Sequence, residues 1–154
     1  MGREIERKFL VIGGDWREGA TGTTIRQGYL CSLKERSVRV RIAGNRGTLT
    51  IKGESVGAAR AEYEYEIPVG DADELLNELC ERPLIEKTRY LFENADGTWE
   101  IDVFAGDNFG LTIAEIELED EAQTVALPDW IGEEVTGDPR YLNANLFKHP
   151  FNSW

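Results

Sequence analysis

Seven stretches of this chain alternate apolar and charged residues with a period of two, and on most of them the charged side carries a single sign. In a β-strand that spacing puts all the charges on one face. E-I-E-R-K-F at 4–9 places Glu4, Glu6 and Lys8 opposite Ile5, Arg7 and Phe9. V-R-V-R-I places Arg39 and Arg41 opposite Val38, Val40 and Ile42, and L-T-I-K places Thr50 and Lys52 opposite Leu49 and Ile51. Glu62, Glu64 and Glu66 face away from Tyr63, Tyr65 and Ile67. Lys87 and Arg89 share a face, as do Glu100 with Asp102 and Glu115 with Glu117. One wet sheet face is ordinary in antiparallel proteins. Like charges two apart on strand after strand are not, because they repel unless something lies between them.

Strands are expected at residues 3–12, 23–32, 37–43, 47–53, 60–69, 85–93, 98–105 and 111–119. A-G-N-R-G at 43–47 and N-A-D-G at 94–97 read as hairpin turns. One helix is expected over 71–80, capped by Asp71 or Asp73, with Leu75, Leu76 and Leu79 on one side. A short helix is expected near 120–126, and a last one beginning near Asp138, with Pro139 at its first position. Eight antiparallel strands with few helices make a barrel or a sandwich, and the pattern alone does not choose between them.

A sandwich would show the charged faces to solvent. An inverted barrel would turn them inward around water and cover its apolar outside with helices. Its basic set would be Lys8, Arg39, Arg41, Lys52, Lys87 and Arg89. Its acidic set would be Glu4, Glu6, Glu62, Glu64, Glu100, Asp102, Glu115 and Glu117. Arg and Lys neutralise phosphate oxygens, while carboxylates hold Mg²⁺ or Mn²⁺. Acids alone would suggest cation storage and bases alone plain anion binding. The mixture suggests metal-assisted phosphoryl chemistry.

The 154 residues suit one domain with a sizeable core. A net charge of −12 argues against a partner bound through the nucleic-acid backbone. Cys31 and Cys80 have no metal-binding spacing and suggest a reducing compartment. No apolar signal region opens the chain, and no run of about 18 apolar residues occurs, so a cytoplasmic protein without membrane contact is expected.

E-I-E-R-K at the N-terminus resembles the ExExK signature of the CYTH superfamily, the triphosphate tunnel metalloenzymes. The resemblance continues in order through I-R-Q-G-Y-L at 25–30, V-R-V-R at 38–41, L-T-I-K at 49–52 and E-Y-E at 62–64. It runs on through E-K-T-R-Y at 86–90, I-D-V-F at 101–104, A-E-I-E at 114–117 and E-V-T-G-D-P-R-Y at 134–141. It implies one tunnel domain over 1–154: a closed eight-stranded antiparallel barrel of the mainly β class, with a few flanking helices. Members hydrolyse inorganic triphosphate or thiamine triphosphate, or are class IV adenylate cyclases. The chain is most similar to small bacterial members acting on inorganic triphosphate, which implies a small-molecule triphosphate substrate and two divalent ions, Mg²⁺ or Mn²⁺. The metal ligands implied are Glu4, Glu6, Glu62, Glu64, Asp102, Glu115 and Glu117, with Glu115 and Glu117 across the tunnel from Glu4 and Glu6. Lys8, Arg39, Arg41, Lys52, Lys87 and Arg89 would grip the triphosphate. The catalytic set would be Glu4, Glu6, Lys8, Lys87 and Glu117. A C-terminal plug is implied near 138–147, with Arg140 or Lys148 reaching the substrate.

Other residues read as structural. Arg7 is expected to form an exterior ion pair, Glu66 to lie solvated at a barrel mouth, and Arg26 either to face inward or to pair with a surface acid. The tryptophans, Trp16, Trp99, Trp130 and Trp154, are expected to pack rather than stack on a base. The single histidine, His149, offers no suitable nucleophile. A closed barrel has no edge strand to pair, so a monomer, or a homodimer through its outer faces, is expected. A binding module for polyphosphate or nucleotides is the non-enzymatic alternative.

Overall fold

The computed structural model describes residues 2–154. Its strands are β1 (Arg3–Val11), β2 (Gly22–Ser32), β3 (Arg36–Ala43), β4 (Arg46–Gly53), β5 (Ala59–Ile67), β6 (Ile85–Asn94), β7 (Gly97–Phe104) and β8 (Thr112–Glu117). Around the sheet their order is β5, β4, β3, β2, β6, β7, β8, β1. β1 then returns to β5 through Arg3 opposite Ala61, Glu4 opposite Arg60 and Ile5 opposite Ala59, which closes the barrel. A further strand, β9 (Ile131–Glu134), takes the continuation of that same edge of β1, with Phe9 opposite Glu134 and Val11 opposite Ile131. β9 has no readable alternation in W-I-G-E-E-V, and the sequence pattern missed it.

Both expected hairpin turns form. Gly44 has a φ of +61° at the first central position of the β3–β4 loop, where two-residue loops of the II′ kind place glycine. The helix α1 (Val69–Glu78) starts two residues earlier than the sequence suggests, after Pro68 rather than an aspartate cap. Ala72 and Leu76 are buried beneath it, whereas Leu79, expected on the same side, is exposed.

The expected helix at 120–126 is absent, and turns take its place. Side chains there compete for the backbone donors: the Ala122 N–H donates to Asp120 Oδ1 (2.7 Å), that of Glu119 to Gln123 Oε1 (2.9 Å), and that of Ala126 to Asp96 Oδ2 (3.0 Å). The last helix is also shorter than expected. Asp138 caps only a 3₁₀ turn, Pro139–Tyr141, and extended Leu142 precedes α2 (Asn143–Leu146). The break at Leu142 lets Tyr141 and Leu146 both turn into the barrel end.

The barrel is inverted. Apolar faces point outward and are covered locally. Phe9, Trp99, Ile101, Ala114 and Ile116, on β1, β7 and β8, pack under Trp16, Leu118 and Trp130 from the connecting segments and Ile131 of β9. Trp99 lies edge-on to Trp130, with ring centroids 5.7 Å apart. α1 covers the outside of β3 and β4, and it approaches so closely that a Cβ on Gly47 would stand 2.9 Å from that of Ala72. A third cluster fills one end of the barrel from inside. Tyr29, Ile85, Phe104 and Ile113, which continue the inward faces of their strands, meet Tyr141, Leu146 and Phe147 of the C-terminal segment. Since Trp99 is wholly buried in the outer cluster, Trp99→Ala is expected to lower unfolding free energy by about 3–5 kcal/mol, read from denaturant titration.

Candidate active site

A cavity of about 270 Å³ occupies the rest of the barrel interior. Its walls carry six cationic side chains, Lys8, Arg39, Arg41, Lys52, Arg60 and Arg89, and seven carboxylates, Glu4, Glu6, Glu62, Glu64, Glu100, Glu115 and Glu117. The near balance excludes a simple cation store or anion trap. The strand order also sorts the two sets. β3 and β6 bring Arg39, Arg41 and Arg89, and across the barrel β8, β1 and β5 bring most of the carboxylates, with Arg60 of β5 the one arginine on that side.

Register decides the pairs. Lys52 stands opposite Glu62 in the β4–β5 ladder, and its Nζ lies 3.2 Å from Glu62 Oε2 and 2.9 Å from Glu4 Oε1. Lys8 stands opposite Glu115, at 3.6 Å, and its Nζ also donates to the Tyr141 carbonyl (3.1 Å). Burial alone would raise Glu115, but Lys8 and then the basic side chains of β6 bring it down to about 2. Arg41 stands opposite Gln27 and donates to its Oε1 at 2.8 Å. Arg39 donates to Thr50, and Thr50 in turn to Glu64 (3.1 Å).

The cationic wall lacks sufficient counter-charge of its own. Burial pushes Arg41 down to about 9, and its neighbours Arg39 and Arg89 push the same way. A guanidinium does not give up its proton in a protein, so an anion entering the cavity would relieve the strain.

The acidic wall has the opposite deficiency. Glu6 and Glu117 are direct cross-strand partners, neighbours on β1 and β8 rather than residues facing each other across the tunnel. Among the described residues neither has a cation within ion-pair range. Burial, then Glu115 and Glu4, push Glu6 up to about 8, and burial with Glu4 and Glu100 raises Glu117. Like charges directly opposite on a sheet destabilise it, and a divalent cation between them removes the penalty. All-oxygen donors of this kind fit a hard cation such as Mg²⁺ or Mn²⁺. As they stand, no three acidic side chains among the described residues converge closely enough to hold an ion. The reason is visible in the pairs: Glu4 and Glu115 are turned toward Lys52 and Lys8.

Asp102 and Lys87, expected as metal ligand and phosphate grip, lie behind the wall. Both are essentially inaccessible. Lys87 Nζ donates to Asp102 Oδ2 at 2.7 Å, and Arg89 donates to both carboxylate oxygens, at 2.7 and 2.8 Å. Burial would raise Asp102, but these two cations outweigh it and hold the carboxylate well below its usual range. Asp102 therefore aims Arg89 into the cavity and is not itself free to ligate an ion. Of the tail cations, Arg140 turns to Asp138 (2.8 Å) and Lys148 donates to the Ser32 carbonyl (3.2 Å). The segment reaches the cavity instead through Leu142, Asn143 and Ala144.

Outside the cavity, Arg7 pairs with Glu134 (2.8 Å), Arg26 with Asp73 on α1 (2.6 Å), and Glu66 with Arg46 (3.4 Å) at the surface. Arg60 and Asn143 are among the lining residues that were overlooked in the sequence. Arg60 shares the parity of Glu62 and Glu64, so alternation could have found it. Asn143 had no such signal. A second space of about 690 Å³ adjoins the first past Glu4, Glu6, Lys8 and Arg60, between the β2–β3 loop, residues 53–58 and the C-terminal segment. No aromatic side chain lines it.

The CYTH domain pattern matches residues 2–149. This chain belongs to the CYTH domain family. It is 56% identical over 154 residues to an inorganic triphosphatase of Acetivibrio thermocellus, covering 100% of this chain and 99% of that one. It is 42% identical over 148 residues to an inorganic triphosphatase of Nitrosomonas europaea, covering 93% and 95%. The crystal structure of the inorganic triphosphatase NE1496 superposes with a TM-score of 0.65 at 38% identity, covering 94% of this chain and 93% of that one. The closed barrel expected from the resemblance is thus the family's fold. Among the described residues, no helix of this CYTH domain is long and apolar enough to cross a membrane.

Two outcomes follow for the CYTH barrel. Burial and its acidic neighbours push Glu6 up to about 8, against 4.5 for a free carboxyl. Its contribution to stability is therefore complete below pH 4.5 and is lost as pH rises through 8. In chelator, the melting temperature of Glu6→Gln is expected to exceed that of the parent by a margin that widens between pH 5 and pH 8. Asp102→Asn leaves Lys87 buried without its counter-charge and is expected to cost about 3–5 kcal/mol in denaturant unfolding. A bare metal ligand would instead leave metal-free stability unchanged or raised on neutralisation.

Proposed function

We propose that this CYTH domain hydrolyses inorganic triphosphate to pyrophosphate and orthophosphate, in a divalent-metal-dependent reaction inside the barrel. The observation that carries the reading is the facing of an under-neutralised arginine wall by an unpaired carboxylate couple, Glu6 and Glu117. The identity to two inorganic triphosphatases over nearly the whole chain supports it.

In this reading Arg39, Arg41 and Arg89 hold the phosphate chain along the β3–β6 side, with Lys8, Lys52 and Arg60 completing the grip. Bidentate contacts from Arg fix its direction, and exclusion of bulk water strengthens them. Glu4, Glu6 and Glu117 would hold Mg²⁺ or Mn²⁺, with Glu62, Glu64 and Glu115 positioned to support a second ion or its waters. A metal held there would supply charge neutralisation on the phosphates and would lower the pKa of a water it coordinates. A cavity carboxylate outside the metal's ligands accepts the proton of the attacking water. The oxygen–phosphorus bond to the terminal phosphoryl breaks, and pyrophosphate leaves with its new charge met by the arginines. Residues 139–146 close one end of the barrel as a stopper.

An inorganic substrate is favoured over thiamine triphosphate or ATP by the walls themselves. Tyr29 is the one aromatic residue that lines either space among the described residues, and it stacks on Phe147. No platform is left for a base or a thiazole. Two free thiols accord with a cytoplasmic setting.

The test is orthophosphate release from inorganic triphosphate, ATP and thiamine triphosphate, each with Mg²⁺, with Mn²⁺ and with chelator. Inorganic triphosphate should be turned over fastest and only with metal. Glu4→Ala and Arg41→Ala should each reduce kcat/KM by about 100-fold or more, the scale of removing one electrostatic contact to a transition state. Triphosphate binding by folded protein without release would leave a binding module. Cyclic AMP from ATP in place of orthophosphate would make it a cyclase.

A further inference from the structure

The two deepest lysines of the barrel both end on the C-terminal segment. Lys8 Nζ donates to the Tyr141 carbonyl at 3.1 Å, and Lys87 Nζ approaches Asn143 Oδ1 at 3.4 Å. Burial lowers Lys87 to about 7 while Asp102, 2.7 Å away, favours its charged form, and in that form its Nζ–H donates to the Asn143 oxygen, which is turned toward it. Lys87 is itself pinned beneath, 2.7 Å from Asp102. The amide is planar, so an oxygen turned toward the buried layer directs the nitrogen away from it. Asn143 also lines the charged cavity, where it is the only amide side chain. Its Nδ2 has no hydrogen-bond partner among the described residues. The segment that carries it is firmly seated, with Tyr141, Leu146 and Phe147 buried in the apolar end of the barrel.

We propose that Asn143 contacts the substrate, its Nδ2–H donating to a phosphoryl oxygen of bound triphosphate, with Lys87 and Asp102 beneath it as positioning residues that hold the amide in place. This rests on the reading of the cavity as a triphosphate site. The contact adds a neutral donor at the closed end of an otherwise charged site, and so strengthens the hold on the anion without competing for the metal ligands. It gives the C-terminal segment a direct part in binding beyond that of a stopper. It also gives Lys87, cut off from the cavity, a part in the site: it turns the amide.

The test uses the full chain and two readouts. Inorganic triphosphate is titrated calorimetrically in chelator, and kcat and KM are measured with metal. Asn143→Ala should weaken binding by about 10- to 100-fold, the range for losing a hydrogen bond to a charged group, and raise KM by a similar factor with kcat within about threefold. Asn143→Asp decides the mechanism. Its carboxylate can pair with Lys87 at least as well as the amide, yet it offers no donor and repels the anion. It should therefore bind triphosphate no better than Asn143→Ala. Melting in chelator establishes that each variant is folded. Parental KM and affinity in Asn143→Asp would show that Asn143 merely supports Lys87, and would overturn the contact. Unchanged binding in Asn143→Ala would overturn it too, while leaving the triphosphate site standing. A parent protein that neither binds triphosphate in chelator nor turns it over with metal overturns the cavity reading, and the Asn143 contact with it.

Discussion

β1 meets β5 over three residue pairs, Arg3 to Ala61 through Ile5 to Ala59, and the rest of the molecule depends on that short closure. Without it the eight strands form an open meander whose charged faces look onto water. With it, the faces that carry Glu4, Arg39, Lys52 and Glu115 look onto each other across a confined space. Closure also removes the edges of β1 and β5, and β9 takes the remainder of β1 that β5 does not reach. The apolar faces are then outside and need cover. α1, the segment carrying Trp16 and the segment ending at Trp130 supply it, which explains why this barrel has its hydrophobic clusters on its surface and at one end.

Charges brought into a confined interior must be neutralised or stabilised by something that enters. The barrel does part of this internally. Lys52 with Glu4 and Glu62, Lys8 with Glu115, and Asp102 with Lys87 and Arg89 are all fixed by cross-strand register or by the curvature of the wall. What remains is asymmetric: excess positive charge around Arg41, and at Glu6 and Glu117 a carboxyl pair without a cation, which burial and acidic neighbours hold back from ionising. These residues face one another across the same water-filled space. A phosphate chain accompanied by a divalent ion satisfies both at once, whereas either alone satisfies one wall and strains the other. The imbalance is thus a stability cost in the empty protein and a source of binding free energy in the loaded one.

Much of this was legible in the chain. Strand positions, hairpin turns, the inward or outward direction of nearly every charged side chain, and the exterior role of Arg7 all follow from period-two alternation, a local property that each segment carries alone. The readings that failed were those for which local pattern was silent or divided. Residues 120–126 contain helix formers, yet the side chains of Asp96, Asp120 and Gln123 take backbone donors a helix would need. β9 pairs with β1 from more than 100 residues away, and nothing within its four residues announces this.

By itself the sequence determined which residues would share a face, and therefore that acids and bases would be sorted onto common surfaces. Tertiary structure alone decided which of them reach the cavity. Asp102 has the same parity as Glu100, and Lys87 the same as Arg89, yet each lies one step further toward the apolar end. There the C-terminal segment packs in and seals them from water. Glu6 and Glu117 became neighbours rather than opposites because the stagger of β1 against β8 set their register. Asn143 arrived from a segment with no strand pattern at all. The physical reason is common to the three cases. Alternation depends on neighbours in the chain, whereas depth, register and contact with a docked terminus depend on how a closed sheet is sheared and on what fills its end.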